Sequence, residues 1–142
     1  MRNSRHSEDS RLYFDWLEIA ATDLLAARLL TEQKQCLDIA GFHCQQCMEK
    51  AFKAYLIYTG AGLADGHNLT WLCRQAVKRD RHFSRFLETC ADMNRLYIET
   101  RYPSDDGETL EAAEAEGFCT AAGGLYDFIC DRVYRHADIE ED

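Results

Sequence analysis

Residues 36–58, CLDIAGFHCQQCMEKAFKAYLIY, decide the fold. Ala40, Cys44, Cys47, Ala51, Ala54 and Tyr58 recur in steps of three and four, the period of one helix face. Gly60 and Gly62 follow and end the helix. On a second face His43, Gln46, Lys50 and Lys53 step by three, four and three, so they line up along the axis, with Glu49 beside them. A helix patterned in this way has to dock its apolar stripe against other helices.

The same period runs outward in both directions. Trp16, Ala20, Leu24, Ala27 and Leu30 form a stripe on a first helix from about Arg11 to Leu30. After the turn Ala64-Asp65-Gly66, Asn68 is placed to cap a short third helix, about Leu69 to Arg79, which offers Leu69, Leu72, Cys73 and Ala76 to the core. A fourth helix, about Phe83 to Ile98, keeps Phe83, Phe86, Leu87, Cys90, Asn94 and Tyr97 in register. Pro103 stops it by pushing Tyr102 out of helical conformation. A polar loop, Ser104 to Glu108, leads to a last helix from about Thr109 to Val133 with the stripe Phe118, Ala122, Leu125, Ile129 and Val133. The expectation is an all-α, up-and-down helical bundle of four long helices plus one short one. The bundle fills residues 11–134, with a flexible N-terminus at 1–10 and an acidic, disordered tail at 135–142.

At 142 residues, 46% hydrophobic and 11% aromatic, the chain is long enough for one self-sufficient core. Its 16 basic and 25 acidic residues leave a formal charge of −9, which excludes non-specific binding to nucleic acid or membrane over the whole surface. An anion site has to be local. One basic stretch, Arg74 to Arg85, carries five cations against Asp80, whereas Asp105 to Glu116 is wholly acidic; two solvated faces would also explain both. No apolar run approaches the length of a membrane span, and the first 15 residues are too polar for a secretory signal, so the expectation is a cytoplasmic protein. Seven cysteines, an odd number in apolar stretches, suit buried reduced thiols. Gly117, Gly123 and Gly124 inside the last helix each cost about 1 kcal/mol against alanine, which suggests a close helix contact there, within or between chains.

Several chemistries are absent. There is no phosphate-binding Gly-x-x-x-x-Gly-Lys-Ser/Thr loop, no His-Glu-x-x-His pair and no Glu-x-x-His, so P-loop, zinc-protease and di-iron bundle sites are excluded. Cys44-Gln45-Gln46-Cys47 has metal-ligand spacing, but no second pair accompanies it and both thiols lie on the apolar stripe, so core is favoured. No metal or cofactor is implied. The line His43, Gln46, Lys50 and Lys53 has two readings. It is either a solvated face with Glu49 and Lys53 as an i, i+4 pair, or a set of donors facing a phosphate or a partner's acidic residues. His67 at the start of the third helix and Arg101-Tyr102-Pro103 after the fourth mark two helix ends, where cap and dipole contacts are the plain explanation.

Gln45-Gln46-Cys47-Met48-Glu49-Lys50-Ala51-Phe52-Lys53-Ala54-Tyr55-Leu56, then His67-Asn68-Leu69, then Arg101-Tyr102-Pro103, resembles the order and spacing of the HEPN domain family. Trp16, Ala20, Asp23-Leu24 and Ala27 are similar to that family's first helix. The resemblance implies a small helical bundle, usually a homodimer, often found beside a minimal nucleotidyltransferase in toxin–antitoxin or defence settings. It offers chiefly Gln46, Glu49, Lys50, Lys53, His67, Arg101 and Tyr102 as candidates, and with His43 of the polar line the expected set for binding a nucleotide, an RNA or a partner protein is His43, Gln46, Glu49, Lys50, Lys53 and Tyr102. A scaffolding role is open too, with Glu49 or Asp23 pairing with Arg101 inside the fold.

Many family members are metal-independent endoribonucleases that carry Arg, four to six residues, then His. The histidine moves protons and the arginine stabilises charge at phosphorus. That spacing is missing here: Arg132 to His136 has three intervening residues and Arg74 to His82 has seven. The favoured expectation is therefore a non-catalytic binding module. The alternatives are a ribonuclease with a rearranged site, using His67 or His136 with Arg101 or Arg132, and a purely structural helical adaptor.

Overall fold

The structure, a computed structural model, describes residues 9–99 and 110–141, with side chains described at 9–97 and 110–135. Arg101, Tyr102 and Pro103, the side chain of His136 and most of the N-terminal segment lie outside the described residues. Six α-helices and one 3₁₀ helix make up the rest: α1 (Tyr13–Gln33), α2 (Leu37–Tyr58), α3 (Leu69–Val77), a 3₁₀ helix (Arg81–Phe86), α4 (Leu87–Asn94), α5 (Leu96–Glu99) and α6 (Ala112–Glu141). No strand occurs among the described residues, so the chain is all-α as its periodicity requires. No helix among them is long and apolar enough to cross a membrane.

α2 is the centre of the fold, packing against α1, α3, α5 and α6. The expected stripes do point inward: Ala20, Leu24 and Ala27 of α1, Ala40, Cys44, Cys47, Ala51 and Ala54 of α2, and Ala122, Leu125, Ile129 and Val133 of α6 are all buried. α2 also buries Met48, Phe52, Tyr55 and Leu56. Phe83 meets Phe52, Tyr55, Phe86 and Phe128 at ring-centroid distances of 6.1, 4.6, 6.3 and 4.9 Å and ties the 3₁₀ helix to α2 and α6. A ring of that size, fully buried, contributes about 2–3 kcal/mol. The α1–α2 turn is tight, with Lys34 and Cys36 both left-handed (φ 56° and 51°). Near the start of α2, a Cβ at Gly41 would meet Leu110 Cδ1 at 2.5 Å, so glycine is what lets the segment before α6 lie close. Asp38 Oδ1 fixes that segment by accepting from the Leu110 N–H at 2.7 Å.

Two expectations need correction. The fourth helix is not continuous: it opens as a 3₁₀ turn capped by Asp80 and breaks between Asn94 and Leu96. Asn94 is the last residue before the break. Its side chain leaves its own helix to accept from the Leu69 N–H (2.6 Å) and donate to Thr70 Oγ1 (2.9 Å), bracing the start of α3. The last helix does not end near Val133: its backbone continues to Glu141, with an i, i+4 pair between Asp131 and Arg135 (2.8 Å) along it. Asn68 caps α3 as its position predicts, accepting from the Trp71 N–H at 2.9 Å.

Candidate functional site

The polar line of α2 is not a solvated face. α1 crosses α2 so that Asp23 lies over its middle, accepting from Lys50 Nζ at 3.0 Å with one oxygen and facing His43 Nδ1 at 2.8 Å with the other. One turn further along, Glu49 is only 3% exposed and Lys53 7%, and their side chains pair at 3.2 Å. Trp16 of α1 covers Lys53, with Nζ 5.7 Å from the ring centroid, a cation–π contact that the sequence did not reveal. Both lysines offered as phosphate donors are therefore already held by carboxylates.

Glu49 reaches a second cation-forming group. Its two oxygens lie 3.0 and 3.1 Å from His67 Nδ1, and Gln45 ties the same place down, its Nε2 being 3.3 Å from the His67 carbonyl and 3.5 Å from Glu49 Oε1. Gln46 donates to Gln45 Oε1 at 2.7 Å and faces Glu49 at 3.5 Å. The His67 ring stacks on Tyr97 of α5 with centroids 4.4 Å apart and planes 17° from parallel. Its side chain is 53% exposed, and Nε2 has no hydrogen-bond partner among the described residues. Of the residues singled out in sequence, His43, Gln46, Glu49, Lys50, Lys53 and His67 thus come together with Asp23. Gln45 and Tyr97 join them, and neither was offered as a ligand-binding residue; only the adjacency of Gln45 to Gln46 was available to point to it.

Arg132 goes elsewhere. Its Nε donates to Asp80 Oδ2 at 2.8 Å and its guanidinium covers Phe128. The other oxygen of Asp80 accepts from the His82 N–H (2.9 Å) and faces His82 Nδ1 (2.8 Å), so one carboxylate joins an arginine and a histidine that are fifty residues apart. Burial opposes ionisation of Asp80, but the hydrogen bonds from His82 and Arg132 outweigh it and hold its carboxyl down at about 2. The pairing of Arg101 with Glu49 or Asp23 lies outside the described residues; within them, both carboxylates have other partners.

The Cys-x-x-Cys motif is core. Cys44 and Cys47 are fully buried, and burial pushes the Cys47 thiol up to about 12. Cys44 approaches Cys119 of α6 at 3.7 Å, and this hydrogen bond and its burial raise its pKa. Among the described residues, no three potential ligands converge on a metal-binding point.

A bundle whose long helices enclose paired carboxylates and cations, with a histidine at the edge of the pair, is matched by one family model: the HEPN domain matches residues 13–133. The chain belongs to the HEPN domain family. It is similar to the crystal structure of ST0689, an archaeal HEPN homologue, at 21% identity and a TM-score of 0.67, covering 86% of this chain and 98% of that one. It is also similar to TT1696 from Thermus thermophilus, at 26% identity and a TM-score of 0.72, covering 82% and 94%. No curated protein matches the sequence.

Proposed function

We propose that the chain is a dimeric nucleotide- or RNA-binding HEPN module that partners a minimal nucleotidyltransferase in a toxin–antitoxin or defence setting. The observation that carries the binding part is the presentation of His67. Glu49 and Tyr97 fix the ring from two sides, and its outer nitrogen faces away from them, a rigid donor or acceptor for a phosphate or a base. Leu25 and Leu29, one turn apart on α1 and 58% and 52% exposed, favour self-association. The nucleotidyltransferase partner follows from the family resemblance.

The Glu49–His67 contact also favours a second reading, metal-independent RNA cleavage. A carboxylate at Nδ1 favours the proton on that nitrogen and leaves Nε2 as the base, the arrangement needed to take a proton from a ribose 2′-hydroxyl. One experiment separates the two. The pure protein is incubated with mixed RNA in excess chelator, beside His67→Ala and His136→Ala, and the RNA is assayed for both retention and cleavage. Retention of intact RNA, weakened in His67→Ala, supports the binding module. Cleavage to 2′,3′-cyclic phosphate ends, lost in His67→Ala, supports the nuclease. Neither retention nor cleavage, with no nucleotidyltransferase co-purified on co-expression, overturns both.

A further inference from the structure

Four cations without a carboxylate partner among the described residues lie on α3 and in the turn after it, not on α2. Arg74, Lys78, Arg79 and Arg81 have no carboxylate within salt-bridge distance among the described residues, in contrast to Lys50 and Lys53. Lys78 Nζ faces Gln75 Oε1, at 3.5 Å. Asp80, the acid within this basic stretch, is already bonded to Arg132 and His82. The result is a local excess of positive charge on a chain whose net charge is −9.

A cavity of about 500 Å³ opens at this place, with Leu56, Leu63 and Asp65 in its wall beside Trp71, Gln75, Lys78 and Arg79. Its size is that of a small-ligand site. Trp71, Gln75 and Lys78 step by four and three, so they share one face of α3, opposite the face that buries Leu69, Leu72, Cys73 and Ala76. Trp71 is 45% exposed, although a large aromatic on so short a helix has a core within reach. An exposed indole beside two cations, which outnumber the one carboxylate in the wall, in a concave site matches a ligand with a flat ring and a negative group attached. An acidic protein surface would use the cations and leave the concave aromatic wall empty.

We propose that this cavity is a nucleobase-phosphate subsite separate from His67, in which Trp71 stacks on a base while Lys78 and Arg79 hold its phosphate. It takes only its ligand class from the binding reading above; the location and residues are its own. The base and phosphate belong either to a free mononucleotide or to an RNA strand.

The test titrates Trp fluorescence and binding heat with 5′-AMP and, separately, with a short oligoadenylate. Wild type quenches; Trp71→Phe retains binding but loses the quench, because Trp16 remains. Trp71→Ala weakens binding about tenfold. Lys78→Gln/Arg79→Gln, two surface changes that leave the core intact, weakens it further and lowers the salt slope for the strand by about 0.7 for each phosphate no longer neutralised. Tighter binding of the strand identifies RNA as the source and equal binding identifies the mononucleotide; either supports the subsite. Binding that disappears in His67→Ala but is unchanged in both cavity variants overturns the subsite and leaves the binding module standing. No binding of either ligand overturns the subsite, and the binding module is then decided by the retention of mixed RNA.

Discussion

Glu49 holds two groups at once, Lys53 Nζ at 3.2 Å and His67 Nδ1 at 3.0 Å, from a position that water scarcely reaches. Asp23 does the same for Lys50 and His43, nearer the surface. The two carboxylates therefore differ in what their removal leaves behind. Without Glu49, Lys53 is a buried ammonium under Trp16; without Asp23, Lys50 can still turn toward solvent. Glu49→Ala is expected to cost about 3–5 kcal/mol and Asp23→Ala about 1–3 kcal/mol. Replacing the pair together, as Glu49→Met/Lys53→Met, is expected to cost less than Glu49→Ala alone, because no charge is stranded. Urea unfolding of the four proteins checks the order. A double variant that costs as much as Glu49→Ala, or more, would mean that removing Glu49 alone strands no charge.

Much of this pairing was unreadable in sequence for a physical reason. Glu49 and Lys53 sit at i and i+4 whether the face is wet or buried, and only the path of α1 decides which. Lys53 carries no mark of Trp16 above it, and His67 carries none of Tyr97, thirty residues away. The helices themselves were legible, because Ala40, Cys44, Cys47, Ala51 and Ala54 report their burial through spacing alone. Asn68 was legible as a cap because the bond it makes is local. Asn94 was not, since its role lies in hydrogen bonds to a different helix, and it stands where a helix that periodicity drew as continuous ends.

Asp80 makes the stability depend on acid. Its carboxyl is held at about 2 in the fold against an ordinary value of 3.8, so the unfolded chain takes up the proton first as pH falls. The stabilisation is complete above about pH 5 and is lost as the pH drops through 3.8 toward 2. The lowering from 3.8 to about 2 corresponds to a ceiling of about 2.5 kcal/mol, reduced by the water that still reaches the pair. Asp80→Asn keeps an acceptor for the His82 N–H but gives up the charge toward Arg132. The gap in unfolding free energy between wild type and Asp80→Asn should be constant from about pH 7 to 5 and narrow below about 4. A gap that persists at about pH 2 would show that Asp80 is not the group responsible.

The glycines of α6 provide the last test. They pointed in sequence to a close helix contact, but a Cβ at Gly117 or Gly124 meets nothing within 4 Å among the described residues, so no helix described there explains them. Gly123 differs: a Cβ there would come within 2.5 Å of Arg28 Nη2, the mobile end of a long side chain that can swing aside. Gly117→Ala and Gly124→Ala are each expected to stabilise the fold by up to about 1 kcal/mol, raising Tm by a few degrees, and Gly123→Ala by less. Self-association, measured by sedimentation, should be unchanged in all three, because the apolar face that favours it is Leu25 and Leu29 on α1. If either outer alanine lowers self-association while leaving the fold intact, the glycines are where a second copy lies against α6, and the dimer contact moves from α1 to the last helix.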